Sequence, residues 1–269
     1  MTFSRGILTV LASAGLAALA AITGCDTTGM QRGVDSVLDV FAEPSPADAV
    51  DMAMDKYDAD KRYRGTLLLS TQSFAGEELY MQLFLDNAED PDPGVRTAAT
   101  RAIANHGGPE HVGMLIKRLS DEDRLARIEA ARGLQRIHSP DAVAPLINAI
   151  DPDKESDPAV RSEAADALGQ YARNEVLEAL IANLEDPNLA VNSRTLASLK
   201  TLTGQDFGFD RRQWLDWYNQ STSPFAARSV YTYPAFHREK TFLEYLPFVP
   251  LPPNEASTSP AGMPLPSGG

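Results

Sequence analysis

Between Asp157 and Leu184 small and apolar residues recur with a helical period. Ala164, Ala165, Ala167 and Leu168 form one stripe at the i, i+3, i+4 spacing of a buried face, and Leu177, Leu180, Ile181 and Leu184 form a second after a break at Arg173-Asn174. Asp157 is a competent N-cap, and Pro158 suits the first helical position, where the amide has no intrahelical partner. This stretch therefore predicts a hairpin of two helices. Earlier in the chain, Val34, Val37, Leu38 and Phe41 predict a short amphipathic helix. Ser45-Pro46 opens another, with Val50, Ala53, Met54 and Tyr57 on one face.

The hairpin is repeated. With the arginine of each Val-Arg-like pair as anchor, Arg64, Arg96, Arg127 and Arg161 recur, and Asn192 takes the fifth place, at separations of 32, 31, 34 and 31. Four residues before them stand Asp60, Asp92, Asp123, Asp157 and Asn188, which predict helix caps. Small residues follow at Ala99 and Thr100, Ala130 and Ala131, and Ala164 and Ala165. Nineteen residues after each anchor come Leu83, Leu115, Leu146 and Leu180. The first unit departs from the rest, with Leu67, Leu68 and Ser70 where small residues are expected and Asn87 in place of a closing aliphatic residue. A single hairpin cannot bury its own stripe, so stacked units must supply the core. The aspartates and arginines form a charged ladder that we assign to structure, as caps and as inter-unit contacts, rather than to a binding track.

Two-helix units of about 31 residues, with Asp at the start of the first helix and Arg following it, resemble the HEAT-like repeats also found in phycobilisome lyases. The resemblance covers residues 46–203 and implies an all-α solenoid. Residues 204–220 carry both tryptophans, Trp214 and Trp217, on a helix that Asp210 caps, which predicts a lid over the end of the solenoid. Residues 221–269 hold nine prolines between Pro224 and Pro266. Interleaved with them are Phe225, Tyr231, Tyr233, Phe236, Phe242, Tyr245 and Phe248. This is an extended, partly disordered tail, with the composition of a disordered end from Asn254 onward, whose aromatics are candidates for partner binding, or for docking back along the solenoid.

The N-terminal residues carry one charge, Arg5, then an uncharged apolar run from Ile7 to Ile22. As a helix, these sixteen residues span roughly 24 Å, short of a hydrocarbon core of about 30 Å. A cleaved signal over residues 1–24 fits better than a permanent span. Ile22-Thr23-Gly24-Cys25 resembles the lipobox of bacterial lipoproteins, which implies lipid on Cys25, the one cysteine of the chain. The same resemblance gives Asp26 a sorting role and places the protein at the cell membrane, facing the periplasm or exterior. Residues 25–45 are then a lipidated cysteine, a tether and a short helix.

The net charge of −13 argues against nucleic acid as partner. A lone cysteine excludes an intramolecular disulfide. His106, His111 and His138 fall near turns of successive units and could share one edge. HEAT-repeat di-iron hydroxylases place His-Glu dipeptides on successive units, whereas the histidines here precede Gly107, Val112, Ser139 and Arg238. No metal or other cofactor is expected, nor a catalytic residue. The expectation is a non-enzymatic protein-protein interaction scaffold anchored through Cys25. An enzyme subunit of the phycobilisome-lyase-like type and a structural envelope component are the alternatives.

Overall fold

The computed structural model describes residues 44–234 and 257–264. The chain divides into two compact units, Met1–Pro44 and Ser45–Gly269, and the helices described below all belong to the second. Several expectations lie outside the described residues: the signal segment, Cys25, Asp26, the Val34–Phe41 helix and the tail aromatics Phe236, Phe242, Tyr245 and Phe248.

The described residues are helical apart from turns and the tail. In order the helices are α1 (Pro46–Ala53), α2 (Ala59–Ser70), α3 (Glu78–Asn87), α4 (Pro93–His106), α5 (Val112–Arg118), α6 (Arg124–Arg136), α7 (Val143–Ile150), α8 (Pro158–Leu168), α9 (Asn174–Asn183), α10 (Leu189–Thr203) and α11 (Arg211–Gln220). Short 3-10 turns at Pro109–His111 and Pro140–Ala142 lead into α5 and α7. The longer helices α2, α4, α6, α8 and α10 pack one on the next as a continuous layer. The shorter α1, α3, α5, α7 and α9 each pack on the long helix that follows. The result is an all-α solenoid of HEAT-like two-helix repeats.

Close packing of the long helices depends on the small residues. Ala99, Thr100, Ala130, Ala131, Ala164 and Ala165 are fully buried. In the first unit the equivalent residues are Gly65 and Thr66, both buried on α2. A Cβ at Gly65 would lie 2.3 Å from the Ala53 amide nitrogen and 2.5 Å from the Ala49 carbonyl oxygen, so α1 reaches α2 only because that residue has no side chain.

The far end is closed as the sequence predicts. Gly204 adopts φ 69° at the C-cap of α10, the left-handed conformation that releases the chain from a helix. Trp214 on α11 is fully buried; its indole N–H donates to the Gly208 carbonyl at 2.9 Å. Phe207 and Trp217 both meet it edge-on, and tilt against each other.

Candidate interaction surface

The charged ladder is the first polar feature to place. Asp92, Asp123, Asp157 and Asn188 are the N-caps of α4, α6, α8 and α10, each accepting from an amide of the first turn. Arg161 donates from Nε and Nη2 to both oxygens of Asp186 at 2.7 and 3.2 Å. Its Nη1 donates to the Glu155 and Ser156 carbonyls at 2.8 and 3.0 Å. Arg96 binds Asp121 in the same way, and Arg127 binds Glu155. Each acceptor also takes the backbone N–H of the cap two residues later: Asp121 from Asp123, Glu155 from Asp157 and Asp186 from Asn188. One carboxylate thus orients a cap and ties its unit to the unit before. Burial pushes the Asp121 carboxyl up, but Arg96, the Asp123 amide and Arg118 outweigh it and hold the group below its ordinary range.

The first rung is corrected by two residues. Asp60 and Arg64 are exposed on α2, while the cap is Asp58 and the rung is Arg62, bound to both oxygens of Asp90 at 2.6 and 2.9 Å. In that register Gly65 and Thr66 take the small positions and buried Met81 replaces Leu83. Asn87 ceases to be a departure, since Leu85 takes the closing place; its side chain donates to Thr66 Oγ1 at 2.9 Å. The carboxylates Asp90, Asp121, Glu155 and Asp186 are not marked by the repeat anchored on arginine. Their signal is an acid two residues before each cap, in Asp90-Pro91-Asp92, Asp121-Glu122-Asp123, Glu155-Ser156-Asp157 and Asp186-Pro187-Asn188.

The histidines do not converge. His106 Nε2 lies 2.7 Å from the Ser70 carbonyl, and His111 Nδ1 accepts from the Gly108 amide at 3.0 Å. His138 Nδ1 lies 2.9 Å from Gln170 Oε1, and its ring stacks on Tyr171. Among the described residues no group of three or more His, Cys, Asp or Glu could hold a metal ion. These residues therefore do not fit a hydroxylase-type metal centre.

The tail aromatics are the second feature. Phe225 packs against the core. Tyr231 is buried, and its hydroxyl donates to Asp166 Oδ1 on α8 at 2.8 Å; Arg194 on α10 holds the other oxygen at 3.0 Å. Burial raises the Asp166 carboxyl despite both partners. Burial and the facing carboxylate push the Tyr231 phenol well above its ordinary value. Tyr233 lies over the Arg136 guanidinium, 5.6 Å from ring centroid to Cζ. Main-chain bonds complete the docking: Ser229 N–H to Thr201 O at 2.8 Å, Ala261 N–H to Arg136 O at 2.7 Å, and His138 N–H to Ala261 O at 2.8 Å. Docking along the solenoid is thus the reading that the buried Tyr231 follows, while Phe225 and Tyr233 lie half-buried against the helices. Between this docked tail and the turns after α6 and α8 lies a groove of about 600 Å³.

Comparison with known proteins agrees on the repeats. Residues 81–157 match the family described as HEAT repeats, and residues 160–186 the PBS lyase HEAT-like repeat. The chain is 32% identical over 111 residues to a deoxyhypusine hydroxylase of Danio rerio, covering 41% of this chain and 36% of that protein. It is 27% identical over 144 residues to the deoxyhypusine hydroxylase of Gallus gallus, covering 54% of this chain and 44% of that one. The matched part thus spans less than half the length of these relatives. Among solved structures, an engineered protein aligns at TM-score 0.48 and 17% identity over 66% of this chain and 88% of its own. A designed armadillo repeat protein in complex with the peptide (KR)4 aligns at TM-score 0.48 and 17% identity, over 65% and 88%. One expectation is overturned. The sequence reads as a protein that is not an enzyme, yet these two relatives bear the name of an enzyme.

Proposed function

We propose that this chain is a protein-protein interaction scaffold of the bacterial cell envelope, held at the membrane by lipid on Cys25. The observation that carries the scaffold reading is the stack of like units, which presents successive helices as one extended surface, the use such solenoids commonly serve. Exposed leucines stand along it in the first turns of α6 and α10, Leu125 at 50% and Leu189 at 69% exposure, as anchors for a partner. The Ile22-Thr23-Gly24-Cys25 sequence supports the anchor, with Asp26 as the sorting residue. Among the described residues no helix is long and apolar enough to cross a membrane. Mass spectrometry of the mature N-terminal peptide tests the anchor. Lipid on Cys25 is expected, and an unmodified Cys25 in a chain recovered in the soluble fraction would overturn it.

A catalytic role is the second reading, favoured by the similarity to the deoxyhypusine hydroxylases. Turnover of a deoxyhypusine-bearing protein by the purified chain would establish it. Incubation with such a protein, followed by mass analysis for added oxygen, is the direct assay.

A further inference from the structure

We propose that the groove between the docked tail and the turns of the later units binds a small organic anion with an apolar body, such as an aryl- or alkyl-carboxylate. This goes beyond the scaffold reading and does not depend on it. The groove, about 600 Å³, falls within the roughly 300–1,000 Å³ of small-ligand sites. Its apolar lining is Ala172, Leu202, Val230, Met263 and Pro264.

The polar groups select the charge. Arg173 and Arg228 both line the groove, and no carboxylate does among the described lining residues. In a chain of net charge −13 such a place is set apart, and it attracts an anion that the remaining surface repels. Arg228 is exposed and makes no ion pair among the described residues. Among the described residues the Arg173 guanidinium pairs with Glu175, at 3.2 Å with side chains 44% and 59% exposed; a surface pair of that kind is easily exchanged for a ligand. The neutral donors point to the same class. Tyr171 accepts from the Ser139 amide at 3.3 Å, which leaves its own hydroxyl proton to give. Burial pushes that phenol up to about 12, so it stays protonated.

His138 is oriented by its neighbour. The Gln170 amide nitrogen donates to the Leu134 and Ala167 carbonyls at 2.8 and 3.0 Å, so Oε1 is the atom that faces His138. Nδ1 must then carry the proton. The ring is fixed by this bond and by its stack on Tyr171, 4.8 Å between centroids, and forms a rigid wall against which an aryl or alkyl group can lie.

Calorimetric titration of the full chain tests the proposal with three probes: 4-phenylbutyrate, its uncharged amide, and inorganic phosphate. The carboxylate is expected to bind once per chain, with the amide about tenfold weaker, the loss of one charge-assisted hydrogen bond. Phosphate, lacking an apolar body, is expected to bind more weakly still. Arg228→Ala should reduce carboxylate affinity about tenfold and Arg228→Lys less, both with unchanged far-UV circular dichroism. Absence of carboxylate binding, equal binding of acid and amide, stronger binding of phosphate, or affinity unchanged by Arg228→Ala would each overturn the assignment.

Discussion

Replacing Arg161 with alanine tests the ladder where it is most deeply buried. The Arg161 and Asp186 side chains are 5% and 0% exposed. The substitution deletes two bonds to the carboxylate and two to the Glu155 and Ser156 carbonyls. Among the described residues the Asp186 carboxylate then keeps the Asn188 amide alone and becomes a buried charge without its counter-ion, a state that costs about 3–5 kcal/mol. At about 2–4 °C per kcal/mol for a domain of this size, the unfolding midpoint should fall by roughly 6–20 °C. Urea titration followed by circular dichroism gives the same quantity at constant temperature. Removing both members should be milder than the sum of the single changes, since the double variant Arg161→Met with Asp186→Leu leaves no unpaired charge. The exposed pair Arg173 and Glu175 supplies the contrast: Arg173→Ala should cost about 0–1 kcal/mol. An Arg161→Ala chain that unfolds within about 1 kcal/mol of the parent would refute the reasoning, because the burial and the four bonds would then carry no net stability.

Register in the first unit predicts that Arg62→Ala destabilises by about 2–4 kcal/mol while Arg64→Ala stays within about 0.5; equal effects in thermal melts would return the rung to Arg64. Truncation after Gln220 should lower stability by about 2–4 kcal/mol, from the burial of Tyr231 and its bond to Asp166, and should speed amide exchange at His138, whose N–H the tail covers. Unchanged melting and exchange would show the tail to be free of the solenoid. Asp121 titrates below its ordinary value of 3.8 in the folded chain. Its contribution is therefore present above that pH and is lost as pH falls through the lower folded value. Asp121→Asn should flatten the acid limb of a stability-against-pH curve, and an unaltered limb would contradict the assignment.

Helix starts, the small residues between long helices and the tryptophan lid are legible in the sequence because each is a local pattern: a cap four residues before an arginine, alanines at a fixed offset, aromatics grouped after a Gly. The first rung misleads for a local reason as well. Tyr63-Arg64 imitates the Val-Arg pair of later units, whereas the true equivalents, Arg62, Gly65 and Thr66, lack the preceding valine. The acceptors Asp90, Asp121, Glu155 and Asp186 are visible in the sequence only as further acids in acidic turns. Their role emerges when an arginine 25 to 28 residues earlier in the chain is brought beside them. Tyr231 and Asp166 are 65 residues apart, and no periodicity links them, so docking could be expected from the exposed aromatics but not its address. The groove shares that non-local origin, since neither the tail nor the turns form it alone.

Work at a membrane by holding another protein is the central claim, and native mass spectrometry of the chain extracted from membranes under mild conditions tests it most directly. A lipid-bearing chain in a stoichiometric complex with a second, different protein is predicted, a complex that Cys25→Ala abolishes in cells. Recovery of the chain alone, without lipid, at the mass of a single polypeptide would contradict it.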